Sequence, residues 1–254
     1  SERSRGLGDV YKRQLFFIPF GALIVALLIF PLVKKSMNLK TVYMASFLGY
    51  ATHGLLDACT SYGTLLFWPF SNERVTWNNI SIVDPLFTIP ALILVGTAIK
   101  TKKRVFSFFS IGWIIFYLSL GFVQYERALS AAYDLAESRG HDPERLTLKP
   151  SFGNLILWKS IYQHEQVFYV DAIRTVQSVT VCLGESIEIF DYQQHLPTLE
   201  KESQQAVDVE RFRWFSQNYL GFDEEKNLVT DVRYSMLPNQ IEPMWGLVLS
   251  LIHI

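Results

Sequence analysis

The sequence has few cysteines, and its two cysteines are far apart. Cys59 and Cys182 lie in different halves of the chain, and no CxxC pattern occurs. Two distant cysteines do not form a disulfide framework or a zinc-ribbon site. Free cysteine is among the most buried residue types, so we interpret both as buried thiols.

The sequence also lacks the clustered basic surface of a nucleic-acid-binding protein. The formal net charge is −1, but residues 15–123 carry a net +5 and residues 124–248 a net −8. The positive charges lie in short groups between apolar runs, so we expect no nucleic-acid partner. Half of the residues are hydrophobic and 19% are charged. This mixture indicates a membrane part joined to a soluble part.

Both ends of the sequence correspond to translated sequencing adapter. Residues 9–14, DVYKRQ, and residues 249–254, LSLIHI, match the two strands of one transposon-derived adapter end. We expect 1–14 and 249–254 to be artefacts of library preparation and exclude them from fold reasoning. The natural reading frame is then expected to be cut at both ends.

Four long segments are predominantly apolar. They span 15–33, 41–59, 81–99 and 105–123. Each is about long enough to cross the ~30 Å hydrocarbon core of a bilayer as a helix. Lysine and arginine lie in the connections between the first and second segments and between the third and fourth. The positive-inside rule places both connections in the cytoplasm, so the loop 60–80 and everything after 123 are expected outside it.

The pattern changes after the fourth segment. Residues 125–138 are typical of a helix that extends this segment, and 146–189 are rich in β-branched and aromatic residues. A polar helix and two strands follow, at 202–219, 228–234 and 239–248. We therefore predict an α-helical multi-pass membrane domain of four transmembrane helices, 15–123, followed by a small α+β extramembrane domain, 124–248.

A polar stripe interrupts the second apolar segment. Its members share one helical face, at spacings of four, three, four and three: Ser46, Tyr50, His53, Asp57 and Thr60. Ionisable groups inside an apolar segment indicate a functional site. His53 and Asp57 place an imidazole and a carboxylate on adjacent turns, a spacing that suits one metal ion. A catalytic zinc site normally has three protein ligands and a water, so Asp84 is the candidate for the third.

Each of these residues also has a structural interpretation. His53 and Asp57 could satisfy each other inside a helix bundle as a purely structural pair. Asp84 before Pro85 fits a helix start, with Asp84 as the N-cap. Arg74 suits an anionic substrate group, and the alternative is a solvated loop residue or an interfacial anchor.

The remaining polar candidates are weaker. His164 lies beside Glu165 in a predicted strand turn, and His141 and His195 lie in polar loops, so we do not expect these histidines to be metal ligands. Asp171 and Arg174 lie three apart on a predicted strand, so their side chains point to opposite faces and do not form one site.

The stretch 52–85 resembles the central motif of the YdjM-type membrane-bound metal-dependent hydrolases of bacteria. That motif is H-x-x-x-D-x-x-T-x-x-G, then P-F-S with a basic residue, then Asp–Pro. It is carried here by His53, Asp57, Thr60, Gly63, Pro69, Phe70, Ser71, Arg74, Asp84 and Pro85. The segments LILWKSIY, YVDAIR and DVRYSMLP resemble longer members of the family.

The resemblance implies a multi-pass protein of the bacterial inner membrane that holds a divalent metal. Zinc is the first candidate, with His53, Asp57 and Asp84 as ligands and Asp84, Arg74 and Thr60 as catalytic candidates. Metal-activated water would attack a phosphoester or a lipid-like substrate. Family members typically carry a D-x-x-T-H motif on the first helix, and we attribute its absence here to the cut at Gln14.

The alternative function is that of a non-catalytic membrane protein. Its outer α+β domain would then bind a partner or a component of the cell envelope, and His53 and Asp57 would only lock the helix bundle.

Overall fold

The computed structural model describes residues 14–68, 70–71, 73–197 and 202–249, and of residues 14–16 only the backbone. The chain divides into two compact units, the first ending at Asp84 and the second beginning at Pro85. Apart from Gln14 and Leu249, the residues that we expect to be adapter-derived lie outside the described range.

The first unit consists of two packed helices and a long loop. Helix α1 spans Gln14–Val33 and helix α2 spans Leu39–Cys59. The Asn38 side chain caps α2 by accepting a hydrogen bond from the Thr41 N–H at 2.9 Å. The first two predicted apolar segments thus form helices, and the loop after α2 carries most of the motif.

The second unit begins with two further packed helices. Helix α3 spans Pro85–Thr101 and helix α4 spans Val105–Ser138. The Trp113 indole N–H donates to the Phe87 carbonyl of α3 at 3.1 Å. Helix α4 continues through the predicted extension 125–138, so the predicted domain boundary falls inside one continuous helix.

Among the described helices, α4 alone is both long and apolar enough to cross a bilayer. The part of α1 whose side chains are described, Phe17–Val33, and helix α3 are apolar but shorter. The structure therefore shows one membrane-capable helix, and four crossings remain a prediction.

A four-stranded antiparallel sheet follows α4. Its strands pair in chain order and are β1 Arg145–Pro150, β2 Leu157–His164, β3 Val167–Thr175 and β4 Val179–Glu188. The predicted β-rich stretch is confirmed. The expectation of two buried thiols is confirmed for Cys59 and wrong for Cys182, which lies exposed on the edge strand β4.

Both faces of this sheet are covered. Successive residues of a strand point to opposite sides, so each strand contributes side chains to both faces. On one face Trp158 and Ile173 pack against Ala128 and Ala132 of α4, and all four are fully buried. These alanines lie four apart, so their small side chains form one stripe on which the sheet lies close to the helix. Burying each large apolar side chain contributes about 1.5–3 kcal/mol.

The opposite face contacts the last part of the chain. Ile161, Phe168 and Val170 pack there with Val232 and Ile241. Two helices and a three-stranded sheet complete the unit: α5 Tyr192–His195, α6 Gln204–Ser216, β5 Leu220–Asp223, β6 Leu228–Asp231 and β7 Gly246–Val248. The predicted strands 228–234 and 239–248 are shorter in the structure.

The strand β6 ends early because Arg233 folds back onto its neighbour. The Arg233 Nη2 lies 2.6 Å from Asp231 Oδ2, and both side chains are buried. This contact between residues two apart bends the chain, so the alternation in LVTDVRY does not continue as a strand.

Candidate metal centre

The two proposed ligands on α2 are in contact. The His53 Nδ1 atom lies 3.1 Å from the Asp57 Oδ2 atom, and the two side chains are 70% and 42% exposed. Residues four apart on a helix lie on the same face, so the helix itself brings them together. The predicted pairing of His53 with Asp57 is present.

The helix end that carries Asp57 is held by the loop that follows it. The Thr60 hydroxyl donates to the Asp57 carbonyl at 2.8 Å. Farther along, the Trp77 N–H donates to the Ala58 carbonyl at 2.7 Å, and the Asn79 N–H donates to the Cys59 carbonyl at 3.0 Å. The last carbonyls of a helix have no partner within it, so these bonds fix both the helix end and the returning loop. Thr60 thereby positions the turn that carries Asp57.

Arg74 lies over a glycine that the loop requires. Gly63 has φ +74°, and a Cβ there would come within 2.5 Å of Arg74 Cγ. Only glycine adopts this conformation at little cost, so Gly63 permits both the turn and the close approach of Arg74. The neighbouring residues Thr64 and Val75 exchange backbone hydrogen bonds of 3.0 and 2.8 Å, which close the loop into a narrow hairpin.

The loop is polar inside. Six polar side chains in it are buried: Ser61, Thr64, Asn78, Asn79, Ser81 and Asp84. Asp84 is 3% exposed and stands directly before α3, which begins at Pro85 as predicted. Burying polar side chains is costly without hydrogen bonds, so this loop has an internal structure of its own.

The structure brings together part of the proposed ligand set. Within the described residues no group of three or more His, Cys, Asp or Glu side chains is placed to hold a metal ion. His53 and Asp57 therefore meet, and Asp84 does not join them in such a group. Phe70 is 89% exposed, and Pro69 lies outside the described residues.

The second unit contains polar contacts that the sequence did not indicate. Arg139, at the end of α4, binds both oxygens of the Asp171 carboxylate at 2.7 and 2.8 Å. Hydrogen bonding to Asp171 raises the pKa of the Arg139 guanidinium above its ordinary value. Arg174 is exposed, so Asp171 and Arg174 lie on opposite faces as predicted. No sequence signal indicated Arg139, because the two partners are 32 residues apart.

The histidines of the second unit are engaged with neighbours. The rings of His141 and His164 stack with their centroids 4.4 Å apart. The His141 Nδ1 atom lies 2.9 Å from the Tyr162 hydroxyl. His195 contacts Phe222, with 4.3 Å between ring centroids. These contacts account for the positions of all three histidines without a metal ion.

Lys159 is a buried lysine of the sheet whose pKa is far below its ordinary value. The Lys159 Nζ atom donates to the Ser235 hydroxyl at 2.6 Å and to the Gln240 carbonyl at 2.8 Å. Burial lowers the pKa of Lys159 to about 7, although the nearby Asp231 and Glu185 carboxylates act in the opposite direction. Its hydrogen bonds join β2 to the final part of the chain.

These features define a class of protein: a set of apolar helices, one of them membrane-capable, followed by a separate sheet domain. Residues 14–128 match the family model described as YdjM inner membrane protein. This helical part of the chain is therefore similar to that family of inner membrane proteins. No curated protein and no solved structure matches the chain.

Proposed function

We propose that this chain carries the metal site of a membrane-bound, metal-dependent hydrolase. The observation that supports the proposal most directly is the 3.1 Å contact between His53 and Asp57 on α2. Imidazole nitrogen and carboxylate oxygen are both zinc ligands, and zinc is the first candidate for the ion.

The contact also limits how the histidine would bind. An Nδ1–H group that donates to Asp57 leaves the Nε2 atom of His53 available to a metal ion. Asp57 would then use its other oxygen as a ligand and at the same time hold the imidazole ring. The exposure of both side chains leaves space for an ion beside them.

A third donor is needed, and we assign that place to Asp84. Catalytic zinc sites normally have three protein ligands and a water. Asp84 is a buried carboxylate at the end of the same loop that closes on the α2 terminus. It does not form a three-ligand group with His53 and Asp57 in the structure, so the proposal requires the loop to rearrange when metal binds.

The bound ion would supply an activated water and polarise the substrate. Asp84 would act as ligand or general base, and Arg74 would bind an anionic group of the substrate. Thr60 would keep the Asp57 turn in place through its bond to the Asp57 carbonyl. The substrate class that fits an anion-binding arginine beside a membrane helix is a phosphoester or a similar lipid-like molecule.

The proposed location is the bacterial inner membrane, with four crossings and with the loop 60–80 and the α+β domain outside the cytoplasm. The basic connections on one side of the helices support this orientation. A reporter enzyme fused after Tyr125 should be active only outside the cytoplasm, and activity inside would contradict the proposed orientation.

The metal content of the purified protein tests the site. We expect the purified protein to contain about one bound divalent ion per chain, the complement of one catalytic site. His53→Ala should lose this ion, whereas His195→Ala, the matched control outside the site, should retain it. Absence of metal in all three proteins, or equal metal in the wild type and His53→Ala, would contradict the proposed site.

The second candidate function is non-catalytic. It is favoured by the observation that only two of the proposed ligands meet. In that case the metal content would not depend on His53, and the sheet domain would be the functional part.

A further inference from the structure

Two turns at one end of the four-stranded sheet carry exposed apolar side chains. In the β1–β2 connection Phe152 is 76% exposed and Ile156 is 43% exposed. In and after the β3–β4 turn Val176 is 44% and Val179 is 39% exposed. The turns are adjacent, because the Thr175 N–H donates to the Ile156 carbonyl at 2.7 Å. We call these four apolar residues the turn patch.

The opposite end of the same sheet is different in character. The β2–β3 turn there contains the exposed residues Glu165 and Gln166. One end of the sheet therefore exposes apolar side chains together with the polar Gln177 and Ser178, whereas the β2–β3 turn at the other end exposes only polar ones. Contiguous exposed apolar groups indicate a contact surface.

Hydrogen bonds attach the turn that carries Val176 to helix α4 at Gln124 and Arg127. The Gln124 amide donates to the Thr175 carbonyl at 2.7 Å, and the Arg127 guanidinium donates to the Gln177 carbonyl at 3.2 Å. Gln124 is buried in this contact. The polar end lies near Arg139, where the helix ends, about 20 Å farther along α4 at 1.5 Å per residue.

The apolar part of α4 ends at the level of Gln124. A hydrocarbon core of ~30 Å corresponds to about 20 helical residues. Helix α4 begins at Val105, directly after the basic residues Lys102, Lys103 and Arg104. Basic residues at a helix end mark the membrane surface, so counting from Val105 brings the opposite surface to the level of Gln124.

We propose that the turn patch rests on the bilayer that α4 crosses, with Phe152 and Val176 in the boundary between headgroups and acyl chains. The occupant of this apolar surface is lipid, because the patch is held at the level where the helix leaves the hydrocarbon. Arg127 and the exposed Arg174 lie near this end of the sheet and suit lipid phosphates, while Glu126 is an exposed acid at this level.

The consequence is a fixed orientation of the sheet domain. Its strands run away from the membrane surface, and the β2–β3 turn is its far end. The proposal rests on the membrane crossing of α4 and does not depend on metal binding or on hydrolase activity.

Depth-dependent quenching of single labels tests this orientation. The chain, with Cys59→Ala and Cys182→Ser, receives one new cysteine at a time and a polarity-sensitive fluorophore. It is then placed in vesicles of phosphatidylethanolamine and phosphatidylglycerol that contain lipids with a spin label on the acyl chain. Labelled positions are Phe152→Cys and Val176→Cys, the matched control Gln166→Cys at the far end, and Phe116→Cys on the exposed surface of α4.

We expect strong quenching by the lipid label at Phe152, Val176 and Phe116 and almost none at Gln166. Quenching at Phe116 without quenching at Phe152 and Val176 would overturn the docking of the patch. Equal quenching at Gln166 would overturn the upright orientation. Failure to quench Phe116 would show that α4 is not in the bilayer and would overturn the proposal at its basis.

Discussion

The first unit and the sheet domain each pair a basic side chain with an acidic one, but in different ways. In the first unit His53 and Asp57 are neighbours on helix α2, and their side chains are 70% and 42% exposed. In the sheet domain Arg139 and Asp171 join a helix end to a central strand, and their side chains are 24% and 1% exposed. The first pair forms as soon as the helix does, whereas the second forms only when the domain folds.

This difference separates a structural pair from a candidate functional one. A buried carboxylate bound through both oxygens contributes to one folded arrangement, and losing its partner is costly. An exposed pair on adjacent turns contributes little to stability. Stability therefore does not explain the presence of His53 and Asp57 on α2, and the proposed metal site would give the pair a role.

The largest effect is expected from breaking the buried pair. Arg139→Ala leaves the Asp171 carboxylate in the sheet without its guanidinium, and such a loss costs about 3–5 kcal/mol. The free energy of unfolding, measured by denaturant titration of the purified protein, should fall by this amount. Arg174→Ala, which removes an exposed arginine from the same strand, should change it by less than about 0.5 kcal/mol. Equal effects of the two substitutions would contradict the structural role of the Arg139–Asp171 pair.

A second effect, spread over pH, is expected from Lys159. Its pKa in the folded chain is about 7, below the ordinary value of 10.5. Between these values the unfolded chain binds more protons, so stability rises with pH in this window, by up to about 1.4 kcal/mol per pH unit. Below pH 7 this contribution is constant and unfavourable.

Unfolding titrations across this window test the lysine. Lys159→Met should lose this dependence on pH, because the amine whose pKa burial lowers to about 7 is removed. Lys226→Met, which alters an exposed lysine, should keep it. A wild-type protein whose stability does not rise between pH 7 and 10 would show that Lys159 is charged throughout and solvated.

The comparison also shows how far the sequence alone reaches. The helices α1 to α4 follow from long apolar runs, and the β-rich region follows from its β-branched and aromatic residues. The contact of His53 with Asp57 follows from a spacing of four on a helix. All of these features follow from local sequence patterns and do not depend on residues that are distant in the sequence.

What the sequence did not reveal depends on distant contacts. The partner of Asp171 is Arg139, and nothing near either residue marks the other. The buried position of Lys159 arises from the return of the last segment, near Ser235 and Gln240, onto β2. Cys182 lies exposed on β4, which is an edge strand. The order of the strands in a sheet cannot be predicted from any one segment of the sequence.

The smallest effect on stability is expected at the proposed metal site. His53→Ala removes an exposed pair on one helix, whose contribution is about 0–1 kcal/mol. Without metal, His53→Ala should therefore have a melting temperature close to that of the wild type. The variant should nevertheless no longer bind the metal ion. If His53→Ala instead destabilised the protein as much as Arg139→Ala, the contact between His53 and Asp57 would be needed for the stability of the first unit. The non-catalytic interpretation would then account for His53 and Asp57, and the two side-chain pairs would differ in location but not in role.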